Sequence, residues 1–70
     1  GDVIELSLKI QSQLKSHPEQ QFSAASLADT LGEQAKTVTI FKLLEHLAAN
    51  GRVQKISAST PFAAEFQANP

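Results

Sequence analysis

The chain has 70 residues and a mass of 7.5 kDa, with 41% hydrophobic residues and a formal charge of −1. That is room for one core, and a domain this small buries only about 60% of the surface its unfolded chain exposes. The absence of cysteine excludes disulfide staples and thiolate metal sites, while six Lys and Arg against seven Asp and Glu exclude the basic surplus that drives non-specific binding to nucleic acid.

The first predicted element is a helix over residues 2–16. Val3, Leu6, Ile10 and Leu14 fall on one helical stripe, which Ile4 and Leu8 widen on one side. Asp2 is placed as its N-cap, with Glu5 three residues on in a capping-box pattern. His17 and Pro18 end it, because a residue before proline is pushed out of the α region. A polar connector leads to Phe22 and Ser23. Ser23 caps a second helix over residues 24–31, whose stripe is Leu27, Ala28 and Leu31, and Phe22 is placed to staple onto Leu27. Gly32 stops it in the left-handed conformation.

A third helix is predicted over residues 36–50. Ile40, Leu43, Leu44 and Leu47 give it a clean apolar face, extended by Phe41 and Ala48, and Asn50-Gly51 ends it. Beyond Gly51 the pattern changes to that of strands. Residues 52–57 are short and β-branched, 58–61 carry turn chemistry, and Phe62, Ala64 and Phe66 alternate with Ala63 and Glu65. Residues 67–70 read as a frayed end.

Leu27-Ala28, Leu31-Gly32, then Ile40, Leu44 and Leu47, then Asn50-Gly51-Arg52-Val53 together resemble the winged helix-turn-helix superfamily over nearly the whole chain. The resemblance implies one small α+β domain over residues 1–70, three helices followed by a two-stranded β-hairpin wing over residues 52–66. One departure is the stretch from Glu33 to Thr39, longer than the family pattern: either the turn is longer or the third helix begins a turn early, with Val38 or Ala35 placed to plug the corner.

The function implied is DNA binding in a bacterial-type transcriptional regulator, as a dimer, with the third helix in the major groove. Gln34, Lys36, Thr39, Lys42 and His46 are the candidate readers: glutamine pairs with adenine, and lysine reaches guanine or phosphate. Arg52 and Lys55 at the start of the wing are placed on phosphates, and Ser23 with the first amides of the second helix forms a candidate phosphate site. Glu33 and Glu45 lie beside this surface and oppose phosphate. The alternative is an interaction or dimerisation module appended to a larger protein, using Ile4, Leu8, Phe41, Phe62 and Phe66 as an apolar docking surface.

Catalysis finds little support. His17 and His46 lie on different helices with no clustered carboxylates, the three glycines stand apart, and no metal or cofactor is expected. No run approaches the roughly 18 apolar residues that span a bilayer, so no membrane partner is expected. Lack of cysteine fits a cytoplasmic location. With no methionine anywhere, Gly1 reads as the product of a cut, and the chain as a module of a longer protein.

Overall fold

Three helices and a three-stranded antiparallel sheet make up this small α+β protein. The structure, a computed structural model, describes residues 2–56 and 58–69, the side chains of Asp2 and Pro61 excepted. Helix α1 spans Asp2–Ser16 and buries Leu6, Ile10 and Leu14, four residues apart along one stripe. Val3, assigned to that stripe by its spacing, is 56% exposed, because the first turn of α1 projects beyond the core. The cap expected from Asp2 lies outside the described side chains.

Strand β1, Phe22–Ser23, precedes helix α2, Ala24–Leu31. Ser23 caps α2 through a reciprocal box: the Ser26 amide donates to Ser23 Oγ at 3.1 Å, and the Ser23 amide donates to Ser26 Oγ at 3.0 Å. At the other end Gly32 takes φ +68°, with its own amide donating to the Asp29 carbonyl and that of Glu33 to the Ala28 carbonyl. That is a Schellman ending, which needs a left-handed residue.

Glu33 opens a 3₁₀ turn over Gln34–Lys36, and helix α3 follows as Thr37–Ala49. The long corner is thus filled by the 3₁₀ turn, which runs directly into the helix at Thr37. Thr37 Oγ1 donates to the Gln34 carbonyl at 2.7 Å and closes the corner. Val38 and Ala35 do not plug it, since both are exposed. Helix α3 ends as α2 does: Gly51 at φ +71° donates to Ala48, and the Arg52 amide donates to Leu47 at 2.9 Å.

Strands β2, Val53–Ile56, and β3, Glu65–Ala68, pair antiparallel, with Lys55 opposite Phe66. Three corrections to the expected wing follow. The sheet has three strands, in the order β1-β3-β2, because β3 pairs on its other edge with β1, Phe22 facing Phe66. Phe62 is not in a strand, since Pro61–Ala63 is a 3₁₀ turn and β3 starts at Glu65. Gln67 and Ala68 are not frayed, because backbone pairing to Gln54 and Val53 holds them in the strand. Gln67 Nε2 also donates to the Pro18 carbonyl at 3.1 Å, tying β3 to the end of α1.

The core lies between the sheet and the helices. Phe22, Phe66, Ile10, Leu14, Leu27, Ile40 and Leu44 are its largest fully buried side chains. Each contributes on the order of 1.5–3 kcal/mol by leaving water. Phe22, N-terminal to the cap, and Leu27 are both in it, as the staple pattern requires.

Candidate functional site

Helix α3 turns its residues in three directions, set by 100° per residue. Ile40, Leu44 and Leu47 face the core. His46 and Asn50 turn toward α1, where they line a cleft with Ser7, Gln11 and Arg52. Phe41 and Glu45 turn toward β2 and the β2–β3 connection. Between those two edges, Val38, Lys42 and Ala49 are exposed.

The candidate readers do not form one positive strip. Gln34, Lys36, Thr39, Lys42 and His46 are all exposed, as a reading face requires. Lys36, however, sits with Lys9 around the Glu33 carboxylate, at 3.9 and 3.6 Å. Lys55 is 2.8 Å from Glu45. Arg52 and His46 lie on the edge facing α1, where the Asn50 amide nitrogen is 3.1 Å from His46 Nε2. Among the described residues, Lys42 is left as the cation of the outward face without a carboxylate partner. Both acids flanking this surface are thus partnered, and Lys36 and Lys55 among their partners are cations the DNA reading needs.

Ser23 is half-buried, and its hydroxyl is taken by the Ser26 amide that a phosphate would use.

The apolar candidates separate. Phe66, fully buried at the centre of the sheet, is unavailable to any partner, because its place between β1 and β2 puts it in the core. Ile4 and Leu8 are 65% and 61% exposed on α1. Phe41 and Phe62 meet on the β2-facing edge of α3, ring centroids 4.9 Å apart and planes tilted by 42°. Phe62 remains 45% exposed and Val38 58%. Val38, Phe41 and Phe62 thus bring apolar surface to an edge of the outward face of α3.

Sequence reasoning did not single out Gln11, Lys15 and Asn69, which share a cleft with Arg52. The four-residue spacing of Gln11 and Lys15 was visible, but the element facing them was not. Among the described residues no three His, Cys, Asp or Glu side chains gather as a metal site would require, and no helix is long and apolar enough to cross a membrane.

No family model matches the chain, and no solved structure matches it. The chain is similar to a glucose-6-phosphate isomerase of Desulfitobacterium hafniense (strain DSM 10664 / DCB-2), 42% identical over 50 residues. That match takes in 71% of this chain and 9% of the isomerase, so the chain spans a small fraction of the relative's length.

Proposed function

We propose that this chain is a non-catalytic interaction module of winged-helix type within a larger protein similar to glucose-6-phosphate isomerase. It docks on the rest of that protein through the edge formed by Val38, Phe41 and Phe62. The observation that carries this reading is the Phe41–Phe62 contact beside exposed Val38. A groove-reading helix presents hydrogen-bond donors and cations there, whereas aromatic and aliphatic surface in that position suits a protein contact. The winged-helix reading is supported by the α2–corner–α3 pair followed directly by the β2–β3 hairpin. Placement in a longer polypeptide is supported by the match to 9% of the Desulfitobacterium hafniense isomerase.

The test is an amide-shift titration of the labelled chain with that isomerase lacking its matching segment. Docking moves Val38, Phe41, Phe62 and their neighbours. Shifts confined to other faces, or none, contradict it.

A second reading, DNA binding by a dimer with α3 in the major groove, is favoured by one observation. Lys42 is exposed on the outward face with no carboxylate partner among the described residues. That reading requires shifts at Gln34, Thr39 and Lys42 on adding a generic duplex at low salt, fading as salt rises.

A further inference from the structure

We infer that the cleft between α1 and the α3–β2 junction binds a small anion through its phosphate group. Of six cationic side chains, Lys9, Lys36 and Lys55 are held by carboxylates. Of the other three, Lys15 and Arg52 line this one cleft. A protein of net charge −1 thus gathers at one place two cations that have no carboxylate partner among the described residues. Among the described residues no Asp or Glu lines the cleft or the wider hollow it adjoins.

The remaining polar lining is rich in donors. Asn69 Nδ2 donates to the Gly51 carbonyl, and Gln11 Nε2 donates to Ser7 Oγ at 3.2 Å and to the Ser7 carbonyl at 3.4 Å. The Asn69 amide nitrogen carries two protons, so it keeps one for a ligand while the other holds it in place, and Ser7 fixes Gln11 at the wall of the cleft. Arg52 is set at the rim by the Schellman ending of α3, its backbone amide donating a hydrogen bond to the Leu47 carbonyl. Its planar fork matches two phosphate oxygens, and Lys15 adds a point charge. The inner cleft, floored by Leu14 and Val53, measures about 90 Å³. The adjoining hollow, about 460 Å³, shares Gln11 and Arg52 with it and is lined by His46 and Asn50. A slot of that shape receives a phosphate group and a small body attached to it. A duplex, wide and convex, touches only its rim. This site is separate from the docking edge of α3 and does not rest on it.

The experiment titrates the whole labelled chain with inorganic phosphate and with glycerol phosphate at constant ionic strength. The expected result is a saturating shift of the Gln11 and Asn69 side-chain amides and of the Arg52 backbone amide. Arg52→Gln and Lys15→Gln each raise the half-saturation point about tenfold, the scale of a charge-assisted hydrogen bond, and Lys42→Gln leaves it unchanged. Both substituted side chains belong to exposed residues, so the fold survives each change. Tighter saturation by glycerol phosphate identifies an organic monoester, and equal saturation identifies free phosphate. Shifts that grow linearly without saturating overturn the inference. So does an equal loss in Lys42→Gln, or a response of these residues to a DNA duplex alone. A role for Lys15 only in offsetting the dipole at the end of α1 predicts lower stability in Lys15→Gln with no anion response, which also overturns it.

Discussion

The Lys55 ammonium lies 2.8 Å from the Glu45 carboxylate, joining β2 to α3. That pair takes a cation from the surface a phosphate backbone would approach. It holds the hairpin against the helix at little energetic gain, since both side chains are about one-third exposed and such pairs contribute about 0–1 kcal/mol. Glu45→Gln is therefore expected to change stability by less than about 1 kcal/mol in denaturant unfolding. On the DNA-binding reading it is also expected to strengthen low-salt association with duplex DNA, because a repelling charge is removed and Lys55 is released. Unfolding measurements and a salt-dependent duplex titration check the two halves.

Phe66 and Phe62 differ by four residues and have opposite roles. Phe66 is fully buried between β1 and β2, so Phe66→Ala leaves a cavity that costs about 3–5 kcal/mol. Domains are stable by only about 5–15 kcal/mol, and one this small sits at the low end, so a large unfolded fraction is expected at room temperature by circular dichroism. Phe62→Ala removes an exposed ring and its contact with Phe41, for a loss of about 0.5–1.5 kcal/mol, and the chain stays folded.

These two residues also mark where the sequence was legible. Alternation at Phe62, Ala64 and Phe66 pointed to one strand face, and Ala64 and Phe66 are indeed buried. Phe62 departs because the chain turns through Pro61–Ala63 before the strand begins. The three helices were legible because each carries at least two turns of 3.6-residue periodicity closed by a cap or a stop. Strand β1 was not: two residues have no period, and Phe22–Ser23 becomes a strand only because β3 offers it an edge. The inward placement of Ile40, Leu44 and Leu47 follows from spacing, and so does the exposure of Thr39, Lys42 and His46. Which cations are free does not, because the partners of Lys9 and Lys55 lie on other elements and are chosen by packing.

The capping box at α2 offers a local test. Ser23→Ala removes the acceptor for the Ser26 amide and is expected to cost about 0.5–2 kcal/mol. Ser26→Ala removes the reciprocal half, and the double variant is expected to lose less than the sum of the two. Chemical denaturation of the three variants supplies the cycle.

Gly32 stands at φ +68° with open space around the position a Cβ would take. Gly32→Ala meets no clash there, only the left-handed backbone, and is expected to cost about 1–2 kcal/mol. Gly32→Asn, whose side chain tolerates that conformation better, is expected to lose less. Melting temperatures of the pair read the difference.

We propose that the apolar edge of α3, rather than its cations, is the surface through which this chain docks. Comparing Phe62→Asp with Lys42→Gln in affinity for the Desulfitobacterium hafniense isomerase lacking its matching segment separates the two surfaces. Loss of binding in Phe62→Asp with retention in Lys42→Gln is the predicted result. Loss in Lys42→Gln with retention in Phe62→Asp, or no binding by the unaltered chain, contradicts it.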